Sequence, residues 1–121
     1  MARILVADSD PVLREAATAA LRPHNVLTAP DAVRALEETG RWKPDLVVLG
    51  TFPGRRCGTA TCNRIKNDPR MGRTPVLMLC PSRNGRKDTC RCKGDRCLVR
   101  PFRGQDLATL ADSLLNPRLP L

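Results

Sequence analysis

The sequence predicts a five-stranded, doubly wound α/β domain built on a parallel sheet. Three observations lead there. Short, nearly continuous apolar runs stand at residues 3–7, 45–49 and 75–79, as expected for strands covered on both faces. Segments between them repeat apolar residues at helical spacing. The alternation of the two patterns runs the length of the chain, which means helices on both faces of the sheet.

The first strand, residues 3–7, stops at Asp8-Ser9-Asp10-Pro11. Asp10 before Pro11 is a strong helix start, an acceptor side chain followed by proline at the first helical position. Leu13, Ala16, Ala17, Ala20 and Leu21 then form one apolar face, and Pro23 ends the helix. Residues 25–28 read as a weak second strand. Pro30-Asp31 opens a second helix that runs to about Glu38, with Val33 and Leu36 inward and Gly40 as its stop. The third strand, residues 45–49, runs into Gly50 and a Pro53-Gly54 loop, followed by a third helix over residues 58–67. Residues 75–79 form the fourth strand, and 81–93 are polar and basic, at best a short fourth helix. A fifth strand at 97–99 precedes Arg100-Pro101-Phe102. Leu107, Leu110, Ala111, Leu114 and Leu115 make the cleanest helical stripe, which ends before Pro117. One domain is expected over 1–116, with 117–121 as a tail or the start of a linker to further domains.

The chain has 121 residues, enough for one proper core, and carries a formal charge of +9. Residues 1–50 hold six Lys/Arg against seven Asp/Glu, whereas 51–121 hold fifteen against five. Such asymmetry suits an acidic partner, a nucleic acid or an anionic ligand on the second half. No apolar run approaches the roughly 18 residues that span a bilayer, and no signal peptide precedes the first strand. These features imply a cytoplasmic protein without a membrane role, in which the six cysteines are expected as reduced thiols.

Four segments then resemble one family. Ile4-Leu5-Val6-Ala7-Asp8-Ser9-Asp10-Pro11, Pro44-Asp45-Leu46-Val47-Val48-Leu49, Pro75-Val76-Leu77-Met78-Leu79 and Arg100-Pro101-Phe102 resemble the CheY-like receiver domain of two-component response regulators. The resemblance covers nearly the whole chain. It implies a flavodoxin-like strand order of 2-1-3-4-5. It also implies a phosphorylation site: an acceptor aspartate at the tip of the third strand, two acidic residues for Mg²⁺, a Thr or Ser, a Lys, and an aromatic switch.

At the matching positions stand Gly50 for the acceptor, Asp8 and Ser9 for the acidic pair, Cys80 for Thr/Ser, Arg100 for Lys and Cys97 for the switch. Only Asp8 keeps the family's residue. An aspartyl phosphate needs a carboxylate nucleophile, and Mg²⁺ is held chiefly by carboxylates and phosphate. Asp10 as a substitute ligand is better explained as a helix cap. The expectation is a degenerate receiver, a non-enzymatic signalling module without Asp phosphorylation, cofactor or metal.

Its partner is then expected to be a protein with an acidic surface, meeting the side formed by the fourth-helix region, the fifth strand and the last helix. Arg83, Arg86, Lys87, Arg91, Lys93 and Arg96 cluster there, and Arg55 and Arg56 flank Gly50. Nucleic acid is the weaker reading, since no aromatic stacking platform or helix-turn-helix accompanies these cations. A small anionic ligand such as a nucleotide messenger, held beside Gly50 by Arg55, Arg56 and Arg100, is an alternative. Another is zinc or redox sensing through Cys57, Cys62, Cys90 and Cys92, against which stands the absence of any C-x-x-C pair. His24, in a loop and without a partner in sequence, is expected to be solvated.

Overall fold

A computed structural model describes residues 1–52, 58–80 and 94–116. Its elements are β1 (Arg3–Ala7), α1 (Pro11–Ala20), β2 (Asn25–Ala29), α2 (Ala32–Trp42), β3 (Leu46–Leu49), α3 (Thr59–Asn67), β4 (Val76–Cys80), β5 (Arg96–Val99) and α4 (Gly104–Leu115). All strands pair in parallel in the order β2-β1-β3-β4-β5. This is the doubly wound, CheY-like architecture that the sequence implied.

Period-two alternation divides the strands between two cores. Leu5, Ala7, Val47, Leu49, Val76 and Met78 face α2 and α3, where Ala35, Cys62 and Ile65 meet them. Ile4, Val6, Leu46, Val48, Leu77 and Leu79 face α1 and α4, where Ala17, Leu21, Leu107 and Ala111 close the other layer. β3 and β4 lie in the interior of the sheet and are buried at every position, whereas the edge strand β5 is not. The covered strands are therefore the ones that read as unbroken apolar runs.

The helix starts follow their caps. Asp10 Oδ1 accepts from the Val12 N–H at 2.9 Å, and Asp31 Oδ1 from the Arg34 N–H at 2.8 Å, caps worth about 1 kcal/mol each. The predicted second helix differs at its far end and on its face. It passes through Gly40 to Trp42 and stops where Lys43 takes a left-handed φ of 52°. Trp42 packs on the α2–α3 core, and that contact outweighs the helix-weakening Gly40. The longer helix turns Ala32, Ala35, Leu36 and Thr39 inward, so Val33 is 65% exposed rather than buried.

Candidate functional site

β1 and β3 are neighbours, and their C-terminal ends bring Asp8 and Gly50 together. The Gly50 N–H donates to the Ala7 carbonyl at 2.7 Å, and the Ser9 N–H to the Thr51 carbonyl at 3.0 Å. These backbone bonds tie the two strand tips. Arg100 joins from the end of β5, its own N–H donating to the Cys80 carbonyl at 2.9 Å. The Arg100–Pro101 peptide is cis.

Asp8 is completely buried and is the centre of the site. Its Oδ1 accepts from the Asp10 N–H at 2.7 Å. Its Oδ2 accepts from the Thr51 N–H at 2.8 Å and from Arg100 Nη2 at 2.8 Å. The Arg14 guanidinium donates to the Asp8 carbonyl at 2.7 Å, fastening the start of α1 to the same residue. A buried carboxylate is tolerable when paired and hydrogen-bonded in this way.

The position of that carboxylate defines the chemistry. A Cβ built on Gly50 would stand 1.8 Å from Asp8 Oδ2, 2.7 Å from its Cγ and 3.0 Å from its Cβ. Asp8 thus fills the volume that any side chain at position 50 would need. The glycine leaves room, and the Asp8 carboxylate stands in it. With two anionic oxygens already engaged by an arginine and backbone N–H groups, the arrangement is closed on itself.

The other predicted residues separate into those brought to this site and those elsewhere. Ser9 lies in the β1–α1 connection and is exposed. Cys80 is buried at the tip of β4, and its sulfur lies 3.8 Å from that of exposed Cys97 on β5. Cys80 is disulfide-bonded, so the expectation of a wholly reduced set of cysteines fails there. Cys62 is fully buried against the sheet under α3. Among the described residues no group of three or more His, Cys, Asp or Glu is placed to hold a metal. Arg96 is exposed on β5. Arg55, Arg56, Cys57, Arg83, Arg86, Lys87, Cys90, Arg91, Cys92 and Lys93 lie outside the described residues.

Sequence reasoning missed two pieces of this. The Asp8–Arg100 pair was legible as the one acid and one base left at a site otherwise stripped of charge. His24 is not simply solvated: its Nδ1 accepts from the Ala2 N–H at 3.2 Å and its Nε2 lies 3.4 Å from Asp112 Oδ1. It links the entry to β1 with the end of α4, contacts that local sequence does not reveal.

Comparison with known proteins agrees with this fold. No family model matches the chain. Protein PilG of Pseudomonas aeruginosa is 29% identical over 110 residues, covering 87% of this chain and 81% of that protein. The DNA-binding dual master transcriptional regulator RpaA of Synechocystis is 31% identical over 81 residues, covering 65% of this chain but 34% of RpaA. Among solved structures, the signal receiver domain of a histidine kinase from Syntrophus aciditrophicus superposes with a TM-score of 0.86 at 20% identity, covering all of this chain and 95% of that one. The chemotaxis response regulator CheY4 of Vibrio cholerae gives 0.80 at 21% identity, covering 94% and 98%. NtrX of Brucella abortus gives 0.81 at 28% identity, covering 96% of this chain and 27% of NtrX. Among the described residues no helix is long and apolar enough to cross a membrane. The shared fold and the similarity along most of the chain strongly support a response regulator receiver domain of the CheY-like kind.

Proposed function

We propose that this chain is a non-enzymatic signalling module of two-component type, a receiver that is not phosphorylated on aspartate. The observation that carries the reading is Asp8 Oδ2 standing 1.8 Å from the Gly50 Cβ position while paired with Arg100 at 2.8 Å. The acceptor carboxylate is absent, and the remaining carboxylate is neutralised by the cation that would otherwise meet a phosphoryl group. Ser9 supplies no anionic ligand for Mg²⁺, which prefers carboxylate and phosphate oxygens. The module then signals through protein contact on its basic side, where Arg96 and Arg103 are exposed on and after β5. The partner is a protein with an acidic surface, drawn by charge complementarity.

The test is incubation with acetyl phosphate or beryllofluoride in the presence of Mg²⁺, read by intact mass and by amide NMR. The expected outcome is no stoichiometric adduct and no shift at Asp8, Gly50 or Thr51. Stoichiometric modification that disappears in Asp8→Asn would overturn the reading. DNA binding is a property of RpaA as a whole protein. For this chain, weak retardation of random duplex that vanishes with salt is the expected non-specific result.

A further inference from the structure

A cavity of about 380 Å³ lies between α1 and α4, with Arg100 and Pro101 in its wall. Val12, Leu13, Ala16 and Ala20 line it from α1, and Phe102 and Leu107 from the α4 side. Its volume falls within the roughly 300–1,000 Å³ of small-molecule pockets, which are typically apolar with a few placed polar groups. Val12 is 72% exposed, one of three large hydrophobic residues so exposed among those described. Gly104 allows the close approach of the helices at the end of the groove, since a Cβ there would stand 3.2 Å from the Ala20 Cβ.

The polar groups at the mouth define what would fit. Arg100 forms part of the wall, and its Nε is buried without a hydrogen-bond partner. An unmade bond of a buried donor is costly. The Arg100 side chain is 30% exposed and lines the groove, so an acceptor bound there is the partner open to this N–H. The arginine charge is already matched by Asp8, and Asp10 adds a further negative charge at the rim. An anionic ligand would meet that carboxylate.

We propose that this groove binds a small, neutral, apolar molecule carrying one carbonyl acceptor for Arg100. The site shares Arg100 with the Gly50 side and takes the rest of its wall from α1, Pro101, Phe102 and α4. The acceptor relieves the buried Nε–H, and the apolar body covers Val12, Ala16 and Phe102.

The probe is 2-acetylnaphthalene, titrated into the protein and followed by amide NMR and thermal unfolding. The comparators are 2-ethylnaphthalene, which lacks the acceptor, and 2-naphthoate, which adds charge. Saturable shifts confined to Ala16, Ala20, Gly104, Leu107 and Arg100 are expected, with a rise in unfolding temperature. 2-Ethylnaphthalene should bind roughly tenfold more weakly, as loss of a hydrogen bond to a charged group implies, and 2-naphthoate more weakly than the ketone because its charge meets Asp10 at the rim. Ala16→Trp, at an exposed position, should abolish binding with the fold intact. Should Ala16→Trp fail to fold, Val12→Asp serves, with at least severalfold weaker binding expected. Equal affinity for the three compounds, shifts elsewhere, or undiminished binding by the folded variant would each overturn the proposal. So would dilution-dependent shifts of the same residues without probe, since these assign the groove to a second copy of the chain.

Discussion

At the residue scale, Gly50 and Asp8 form one unit. Any Cβ at position 50 must displace the Asp8 carboxylate, because the nearest approach is 1.8 Å. Displacement breaks the bonds from Asp10, Thr51 and Arg100. Gly50→Ala is therefore expected to destabilise the domain by about 2 kcal/mol, within the usual range for overpacking and loss of buried polar partners. Urea unfolding measures this. The specific prediction is coupling: in an Asp8→Ala background most of the Gly50→Ala cost should vanish, because the colliding group is gone. Full additivity of the two substitutions would show that position 50 is strained for some other reason. The glycine at position 50 was readable in the sequence, since it is a residue type at a strand tip. The filling of its space was not, because it depends on which rotamer a neighbouring strand's side chain adopts.

At the element scale, α4 illustrates how a helix end responds to pH. Asp106 sits in its first turn and accepts from the Arg103 N–H at 3.0 Å, one half of a capping box. That backbone bond, followed by the nearby Arg103 charge, lowers the Asp106 pKa below the ordinary aspartate value. A carboxyl with a depressed folded pKa stabilises the native state fully above its unfolded pKa, and the contribution fades as pH falls through the folded one. The stability gap between wild type and Asp106→Asn should therefore be present at neutral pH and shrink to nothing in acid. Denaturant midpoints at a series of pH values measure it. A gap that persisted in acid would assign the effect to side-chain shape. The stripe at Leu107, Leu110, Ala111, Leu114 and Leu115 was legible because packing follows helical periodicity directly. The extension of α2 past Gly40 was not, because tertiary burial of Trp42 decides it.

At the scale of the whole molecule, the two halves of the chain differ in charge. The sheet topology was legible because each central strand is buried on both faces and reads as an apolar run. The partner surface was less so, since charge composition does not say which cations share a face. What composition does fix is the net charge of +9, with +10 on residues 51–121 and −1 on residues 1–50. Like charges on a compact body repel and destabilise it. The Asp8–Arg100 pair joins a buried carboxylate to a 30% exposed arginine, so added salt screens it little. Raising ionic strength from about 0.01 M to about 0.1 M shortens the screening length from about 30 Å to about 10 Å, which weakens the long-range repulsion. The unfolding temperature is therefore expected to rise gradually with sodium chloride, with no saturation at low concentration. A series of chloride, phosphate and sulfate at matched ionic strength separates two causes. Equal rises indicate screening of a diffuse basic surface, the state expected of a docking face without its acidic partner. A saturable rise at micromolar phosphate or sulfate would instead indicate a discrete anion site, and would favour a small anionic ligand over a protein as the natural occupant of the basic side.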